Sequence, residues 1–280
     1  MHGLGNDFIV FDARDPLNAV PDQISPAAAR LLADRHFGIG CDQILVIRPS
    51  NKANVFMEIL NSDGSRAAAC GNGTRCVADF VMPAGGSSTL IETAAGVLTA
   101  LRDAKTGHIS VDMGPVHLGW QDVPLARKMD TLAVDLGPSA PVPAICHSIG
   151  NPHAVLFVDD AEAVDLAKIG PALEMHPVFP DRANISFVHQ LGENRFRMRV
   201  WERGCGITLA CGSGASAVGV AVYRAGLSGR VNDIVMDGGI VTIDWQNDGT
   251  DTGRVIMQGP VACVYRGHLS DALDQCLRAV

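Results

Sequence analysis

The sequence predicts a mixed α/β (α+β) protein made of two duplicated, pseudo-symmetric domains. Three observations support this prediction. Short motifs recur in the same order at a nearly constant spacing, brief β-branched or apolar runs are separated by glycine-rich turns, and two apolar runs with small residues each follow a cysteine. The chain has 280 residues, of which 47% are hydrophobic, so it can fill the cores of two medium-sized domains.

The duplication rests on motifs that recur 141 or 145 residues later in the chain. The segment HGLGNDFIVFD, which begins at residue 2, corresponds to HSIGNPHAVLFVD from residue 147. Cys70 corresponds to Cys211, and the glycine of VDMGPV corresponds to that of MQGPV. Matches in one order at nearly one spacing indicate a repeated structural unit. We therefore predict one domain at 1–114 and a second at 115–261, with 262–280 returning to the first.

Strands are predicted where β-branched or apolar runs are bounded by glycine, asparagine or proline. In chain order, these runs are FIVFD, QILVI, VFMEIL, AVLFVDD, ISFVH, FRMRVW, VTIDW, VIMQG and ACVYRG. Each is short enough for a strand and too short for a typical helix. The last run, ACVYRG, is the strand that we expect to return to the first domain.

Helices are predicted in four segments of a different character. Segment 26–34 and segment 160–175 have the pattern of outer helices, the second of them broken at Pro171. The runs GTRCVADFVM (73–82) and SGASAVGVAVYRAGL (213–227) follow the two matched cysteines, and their length and alanine content favour helices. The second of these runs is apolar on nearly every face, which is typical of a helix enclosed by its own sheet.

Charge and composition argue against several classes of partner. The net charge is −8, only two tyrosines and three tryptophans are present, and lysine and arginine form no block, which disfavours a nucleic acid or an acidic membrane as partner. No apolar run approaches the roughly 18 residues of a membrane-spanning helix, and the first residues lack a signal-peptide pattern. These features predict a cytoplasmic protein that binds a small molecule and keeps its eight cysteines as thiols.

Two cysteines stand where a glycine turn becomes a helix. The pentapeptides ACGNG (69–73) and ACGSG (210–214) contain Cys70 and Cys211. The first N–H groups of a helix lack internal partners and its dipole is positive there, so this position stabilises an anion and lowers the pKa of a thiol. Two duplicated halves are expected to face each other across a cleft. Two thiols on opposite faces of one carbon could then invert a stereocentre by proton transfer.

Other roles for the cysteines remain open at this point. The pairs Cys70/Cys76 and Cys205/Cys211 are each six residues apart, which does not match the Cys-x-x-Cys spacing of common zinc sites. A disulfide between Cys70 and Cys211 would be an oxidised, inactive state rather than a structural bond. For the cysteines outside the repeated motifs, core packing is the simpler interpretation; these are Cys41, Cys146, Cys263 and Cys276.

The lysines bear on whether a cofactor takes part. Pyridoxal phosphate, the usual cofactor for inverting amino acids, needs a lysine for its Schiff base. None of the four lysines lies in a repeated motif; they are Lys52, Lys105, Lys128 and Lys168. The sequence therefore predicts chemistry that needs neither a cofactor nor a metal.

A set of ordered motifs extends over nearly the whole chain. They are HGLGNDF (2–8), GIGCDQ (38–43), NSDGS (61–65), CGNGTRC (70–76), GNPH (150–153), FPDRANISFV (179–188) and ERGCGITLACGSG (202–214). Their combination resembles the signatures of the diaminopimelate epimerases. The resemblance implies two similar α/β domains, each a curved, mostly antiparallel sheet wrapped around a central helix. It also implies interconversion of LL- and meso-diaminopimelate without a cofactor, in lysine and peptidoglycan-precursor synthesis, by a homodimer.

The resemblance also implies roles for particular residues. Cys70 and Cys211 match the catalytic pair, and His153 and Glu202 match positions near the reacting centre. The residues that would meet the reacting carboxylate with backbone N–H groups are Gly71, Asn72, Gly212 and Ser213. The residues that match other substrate-binding positions are Asn6, Gln43, Asn61, Asn151, Asn184, Glu202 and Arg203. A guanidinium such as that of Arg203 suits a distal carboxylate, because it can donate two parallel hydrogen bonds.

Two positions depart from the family pattern. Many members carry glutamate at the position of Ile207 and a small apolar residue at the position of Cys205. The nearest alternative function is a racemase of the same fold acting on another amino acid, such as proline, hydroxyproline or histidine. A thiol redox or metal-binding module is the alternative from a different class. Arg203 favours a substrate with a second carboxylate over the racemase substrates.

Overall fold

The computed structural model describes residues 1–18, 20–246 and 252–278. Two compact units divide the chain: the first unit is Met1–Val111 with Pro260–Val280, and the second unit is Asp112–Gly259. The division into duplicated domains at 1–114 with 262–280 and at 115–261 remains our proposal, and residues 279 and 280 of it lie outside the described residues.

The first half of the chain alternates strands with two helices and one short 3₁₀ helix at Pro16–Asn18. In chain order, these elements are β1 (His2–Gly3), β2 (Asn6–Asp12), α1 (Pro26–Ala33), β3 (Gln43–Arg48), β4 (Val55–Asn61), β5 (Arg66–Ala67), α2 (Gly71–Val81), β6 (Ser88–Thr93), β7 (Gly96–Arg102) and β8 (Ile109–Pro115).

The second half repeats this alternation after a 3₁₀ helix at Gly137–Ser139. Its elements are β9 (Ile145–Ser148), β10 (Pro152–Phe157), α3 (Leu166–Glu174), β11 (Asn184–Gly192), β12 (Arg195–Glu202), β13 (Gly206–Ile207), α4 (Gly212–Arg224), β14 (Val231–Met236), β15 (Gly239–Gln246), β16 (Arg254–Gly259) and α5 (Asp271–Arg278).

Strand pairing follows the same order in both units. In the first unit β2 is parallel to β3, β3 is antiparallel to β4, and β4 is parallel to β6, which begins an antiparallel run through β7 to β8. In the second unit β10, β11, β12 and β14 repeat these relations, and β14 begins an antiparallel run through β15 to β16. The mixed α/β fold class predicted from the repeats is therefore confirmed.

Each unit packs its sheet around one helix. Helix α2 contacts β1, β2, β3, β6 and β7, and helix α4 contacts strands from β9 to β16. Almost every residue of α4 from Gly212 to Val222 is buried, as its apolar sequence predicts. Gly219 allows α4 to approach β15 closely, since a Cβ at this position would lie only 2.5 Å from Cγ2 of Ile243. Both predicted helices after the matched cysteines are confirmed.

A tight hairpin positions the first residue of β2. Gly3 pairs with Asn6, and the two turn residues, Leu4 and Gly5, have φ values of 58° and 85°. Positive φ at both turn positions matches the right-handed twist of the flanking strands, and glycine adopts it without strain. The side chain of Leu4 is buried, so apolar packing favours leucine at a position where its backbone is strained.

Two of the predicted elements are wrong in detail. The predicted outer helix at 160–175 begins only at Leu166, where the Asp165 side chain accepts from Lys168 N, and it continues through Pro171 instead of ending there. A proline in a nine-residue helix interrupts few internal hydrogen bonds, which the packing of its buried face can offset. The predicted strand ACVYRG is also wrong, because only Ala262 forms a bridge, to His2.

Several elements were not predicted. Strands β6, β7, β9 and β14 and the terminal helix α5 carry weaker apolar patterns than the predicted strands, because several of their residues are exposed or polar.

Helix α1 agrees with its prediction: Ser25 accepts a hydrogen bond from Ala28 N, and Pro26 opens the first turn. In the described ranges no helix combines the length and the apolar character that a membrane crossing requires.

Candidate functional site

The two matched cysteines occupy the same structural position, the N-cap of a helix. Cys70 precedes α2 and Cys211 precedes α4, and both have extended backbone angles. The sulfur of Cys70 accepts from Gly73 N at 3.3 Å, and the sulfur of Cys211 accepts from Gly214 N at 3.3 Å. Each sulfur therefore lies at the positive end of a helix, where a thiolate is favoured. The residues predicted to bind the substrate carboxylate, Gly71, Asn72, Gly212 and Ser213, form the first turns of these two helices.

In the first unit, amide side chains from three strands form hydrogen bonds, one of which reaches the first turn of α2. Asn6 at the start of β2 accepts from Asn72 Nδ2 at 3.2 Å and donates to Asp42 Oδ2 at 2.8 Å. Gln43 at the start of β3 donates to Asn61 Oδ1 at the end of β4, also at 2.8 Å. The pairs Asn6/Asn72 and Gln43/Asn61 each join two predicted substrate-binding residues. The strand register explains this, because Gln43 and Asn61 are directly opposite each other.

In the second unit, a similar link joins the first strand of the motif to the helix start. Asn151 donates to Ser213 Oγ at 3.4 Å, as Asn72 and Asn6 are joined in the first unit. His153 Nε2 is 2.9 Å from Asn151 Oδ1, and because that oxygen can only accept, the imidazole carries its proton on Nε2. Asn184 donates to Pro152 O and accepts from Arg203 N, each at 3.0 Å. The predicted residues of this unit therefore form two hydrogen-bonded sets, one around Asn151 and one around Asn184.

The Cys211 thiol departs from the prediction that a helix start lowers the pKa. Burial, followed by the charge of the nearby Glu202 carboxylate, raises the pKa of Cys211 well above its ordinary value. The Ser213 hydroxyl and Gly214 N–H favour the thiolate but do not offset these effects. The prediction of a lowered pKa is therefore wrong for Cys211, because burial and a neighbouring carboxylate outweigh the helix dipole.

His153 is fully buried beside this group and stays uncharged. Burial, followed by the positive charge of Arg203, lowers the pKa of His153 to about 3. A neutral imidazole with its proton on Nε2 can orient Asn151 but does not add a positive charge next to the predicted substrate-binding residues. Its counterpart by strand register in the first unit is Phe8, since Phe8 pairs with Gln43 as His153 pairs with Asn184.

A buried carboxylate that the sequence analysis missed holds the loop that carries Arg203. Glu174, the last residue of α3, accepts from Trp201 Nε1 at 2.7 Å and from Gly204 N at 2.9 Å. The Arg203 guanidinium donates to Asp181 O at 3.0 Å. No sequence signal marked Glu174, because an acidic residue at the end of a predicted outer helix has the pattern of a solvated one.

The remaining cysteines differ from one another in exposure. Cys41 and Cys146 are buried, as predicted, and burial raises the pKa of Cys41 to about 11. Cys263 and Cys276 are exposed, so the prediction of core packing is wrong for both. The reason is local: Cys263 follows the bridge that replaces the predicted strand, and Cys276 lies on the outer face of α5. Cys205 and Ile207, the two departures from the family pattern, are exposed as well.

Possible metal ligands were also compared by position. Within residues 1–18, 20–246 and 252–278, no three His, Cys, Asp or Glu side chains lie close enough together to hold a metal ion.

The sequence is similar to a well-defined family. A family model described as diaminopimelate epimerase matches residues 1–119 and 145–264. A diaminopimelate epimerase from Rhodospirillum centenum is 52% identical over 277 residues, which cover 98% of this chain and 92% of that protein. Another from Acidiphilium cryptum is 50% identical over 276 residues, which cover 98% of this chain and 96% of that protein.

Solved structures with the same fold are more distant in sequence. A probable proline racemase from Agrobacterium radiobacter has a TM-score of 0.62 at 17% identity and covers 92% of this chain and 88% of its own. A predicted epimerase from Pseudomonas aeruginosa has a TM-score of 0.62 at 18% identity, and the match covers 95% of this chain and 93% of that protein. At this level of identity the likeness extends to the fold alone.

Proposed function

The chain belongs to the diaminopimelate epimerase family, and from that premise we propose that Cys70 and Cys211 perform the epimerisation as a thiolate and thiol pair. The enzyme is an isomerase that interconverts LL- and meso-diaminopimelate in lysine biosynthesis. One observation carries the two-thiol proposal. Both sulfurs accept from the third residue of their helices at 3.3 Å, so the duplicated halves present the same nucleophilic atom in the same environment.

The proposed reaction moves one proton off the α-carbon and another onto it. A cysteine thiolate removes the α-hydrogen from one face, so that the C–H bond breaks, an S–H bond forms, and the electron pair stays on the α-carbon and its carboxylate. The second cysteine then gives its proton to the opposite face. The two thiols exchange protonation states in each turnover, so the reaction balances without any further reactant.

Backbone groups at the helix starts would stabilise the developing negative charge. The N–H groups of Gly71, Asn72, Gly212 and Ser213 suit the α-carboxylate, because they belong to first turns whose dipoles favour an anion. The proposal assigns the distal carboxylate to Arg203 and an ammonium group to Glu202. The amides of Asn6, Asn61, Asn151 and Asn184 and that of Gln43 would fix the orientation of the substrate.

Cys211 would start the reaction as the proton donor. Its raised pKa keeps it in the thiol form before substrate binds. Cys70 would therefore remove the first proton. After one turnover, Cys70 carries the proton and Cys211 is the thiolate. His153 would support this step as a neutral group that orients Asn151.

The experiment that tests this function uses the purified protein with LL-diaminopimelate in deuterated water, without pyridoxal phosphate. We expect the meso product to carry deuterium at its α-carbon while the remaining substrate stays unlabelled at early conversion, because product and substrate would exchange protons with different thiols. Mass spectrometry of both isomers measures the label. If neither meso product nor α-deuterium forms under reducing conditions, the function is wrong. If label enters substrate and product equally, the two-thiol mechanism is wrong.

We further propose that the enzyme acts in the cytoplasm as a homodimer, with a small-molecule substrate and without a nucleic-acid partner. The family resemblance supports the dimer, and the acidic net charge of −8 disfavours nucleic acid. Light scattering on the eluting protein measures the mass, which we expect to be twice that of one chain. A single-chain mass at micromolar concentration would contradict the dimer.

A further inference from the structure

Arg75 is a cation buried in the second turn of α2. It is the largest fully buried side chain of the chain's described residues, with 0% exposure. Its Nη2 donates to Asn72 Oδ1 at 2.7 Å. Its Nε and Nη1 have no hydrogen-bond partner among those residues. An arginine is held in the interior here with most of its donors unused.

Stability does not account for this arginine. A buried charge without full compensation costs folding free energy, and apolar side chains of similar volume often replace buried charges without loss of stability. The second unit provides a comparison, because Ser216 stands 141 residues after Arg75 in the matched helix and is buried as well. The same helix and sheet therefore pack without a cation at this position.

Arg75 fixes the direction of a chain of hydrogen bonds. A guanidinium can only donate, so the Asn72 oxygen must face Arg75 and the Asn72 NH₂ group must face Asn6. Asn6 in turn donates to Asp42, whose carboxylate can only accept. Because the guanidinium at one end of this series of hydrogen bonds can only donate and the carboxylate at the other end can only accept, neither asparagine amide can be reversed. Asn6 and Asn72 are two of the residues of this half that the proposed function places against the substrate.

Arg75 also places positive charge beside Cys70. Burial lowers the pKa of Arg75, and the nearby thiols of Cys76 and Cys70 act in the opposite direction. Burial raises the pKa of Cys76 to about 12, so Cys76 keeps its proton, and Cys70 is the thiol that can supply a compensating negative charge. Two further charged groups act on Cys76: the amino terminus, which opposes the effect of burial on its pKa, and Asp79, which adds to that effect.

We propose that Arg75 is a positioning residue of the Cys70 half of the site, which locks the amides of Asn72 and Asn6 in one orientation and favours the thiolate of Cys70 over its thiol. This inference rests on the proposed function. It also makes the two halves unequal, since the matched helix carries Ser216 in place of Arg75 and a carboxylate, Glu202, lies near its cysteine.

The test compares Arg75→Met and Arg75→Lys with the wild type, and Ser216→Ala serves as the matched control. Three quantities are measured: kcat and KM for epimerisation, the pH midpoint for alkylation of Cys70 by iodoacetamide, and Tm. For Arg75→Met we expect an unchanged or higher Tm, a midpoint higher by about one pH unit, and kcat/KM at least about tenfold lower. For Arg75→Lys we expect a midpoint near that of wild type, with kcat/KM still reduced, because an ammonium does not reproduce the guanidinium geometry. Ser216→Ala should keep wild-type values of kcat/KM and midpoint.

Several outcomes would overturn the inference. If Arg75→Met keeps the kcat/KM and the alkylation midpoint of the wild type, the inference is wrong. It is also wrong if both arginine variants lose Tm and activity to the same extent, because Arg75 would then serve folding. The alkylation midpoint is measured without substrate. A wild-type protein that fails to epimerise diaminopimelate would therefore contradict the proposed function, whereas an unmoved midpoint in Arg75→Met contradicts the role of Arg75.

Discussion

At the scale of single residues, Cys211 and His153 show how the fold sets protonation near the site. Both side chains are buried, at 4% and 0% exposure, and burial moves each pKa toward the uncharged form. The thiol pKa rises and the imidazole pKa falls, because the charged form is a thiolate in one case and an imidazolium in the other. The second unit therefore keeps both ionisable groups neutral, with the Glu202 carboxylate near Cys211 and the Arg203 guanidinium near His153.

Removing the Glu202 charge should make Cys211 easier to ionise. In Glu202→Gln a carboxylate that raises the pKa of Cys211, in addition to burial, is lost, so the thiolate fraction at neutral pH should increase. The pH dependence of Cys211 alkylation, followed by mass spectrometry, measures this change. Glu162→Gln removes a more exposed carboxylate of the same unit and should leave the profile of Cys211 in place. An unmoved profile in Glu202→Gln would mean that burial alone holds the proton.

The buried imidazole should make the protein sensitive to acid. The pKa of His153 is about 3 in the folded state and 6.5 in the unfolded state, so below pH 6.5 only the unfolded chain gains the proton. The stability contribution of a neutral His153 is present above pH 6.5 and decreases by about 1.4 kcal/mol for each pH unit down toward 3.

Urea unfolding of His153→Gln at several pH values tests this dependence. The free energy of unfolding of the variant should fall less steeply with acid than that of wild type between pH 6.5 and pH 4.5. His268 is exposed and provides the control, because the free energy of unfolding of His268→Gln should depend on pH in the same way as that of the wild type. Parallel curves for wild type and His153→Gln would contradict the neutral, buried histidine.

Only part of the candidate site could be predicted from the sequence. The two capping cysteines recur in matched motifs, whereas the candidate substrate-binding amides were marked by the family resemblance. Arg75 lies inside one of these motifs, yet its counterpart is Ser216, so the repeat gave no sign of the role that we propose for it. The ionisation of Cys211 depends on Glu202, nine residues earlier in the chain, and on burial by the whole unit. Such long-range effects leave no local pattern in a sequence.

At the scale of secondary-structure elements, the contact between α4 and β15 depends on one missing side chain. A Cβ at Gly219 would lie 2.5 Å from Cγ2 of Ile243 and 2.9 Å from its Cβ, which real structures do not tolerate. Ile243 is itself buried and cannot swing away. Helix α4 carries Cys211 at its first turn, so a displaced helix would also move the thiol.

Gly219→Ala should therefore destabilise the protein although alanine favours helices. Alanine gains about 1 kcal/mol in helix propensity, but overpacking a core costs about 1 to 3 kcal/mol, so the net effect should be a loss of stability and a lower kcat. Thermal unfolding and epimerase assays measure both. Gly229→Ala is the matched control, because a Cβ there meets nothing within 4 Å. A more stable Gly219→Ala would show that the helix can shift without cost.

Elements with strong local patterns were predictable, and those fixed by tertiary contacts were not. Helices α2 and α4 follow directly from their apolar runs after the matched cysteines. Helix α3 does not end at Pro171, because Gly170 lets it pack against the ring of Trp201, a residue from a distant strand. The apolar run ACVYRG failed to form a strand, and Val264 and Tyr265 within it are largely exposed.

At the scale of the whole molecule, the proposed chemistry requires one chain to contribute both thiols. Cys70 belongs to the first unit and Cys211 to the second. The matched pairing order of the two units explains why a duplicated sequence can supply two equivalent groups. The repeat spacing of the sequence predicted this organisation before any strand was assigned.

Cys70→Ala and Cys211→Ala should each lower kcat/KM by at least about 10²-fold while the far-ultraviolet circular dichroism stays unchanged. When the two variants are co-expressed and purified as mixed dimers, activity should stay absent, because every chain still lacks one thiol. Epimerisation assays on the purified mixed dimers measure this. About half of wild-type activity in the mixed dimers would mean that the cysteines of different chains share a site, because one of the two sites would then contain both thiols. Normal activity in either single variant would contradict the catalytic role of the replaced cysteine.

The hydrogen bonds that begin at Arg75 end at the water-facing carboxylate of Asp42, which Arg35 holds at 2.9 Å with 55% of its own side chain exposed. If surface charges were changed to improve solubility, Asp42 and Arg35 would be treated as positions without effect on activity. Neutralising Asp42 would instead remove the carboxylate that accepts the hydrogen bond of Asn6. If Asn6 binds the amino acid as we propose, a charge change on the exterior would then weaken substrate binding at a distance from the reacting atoms.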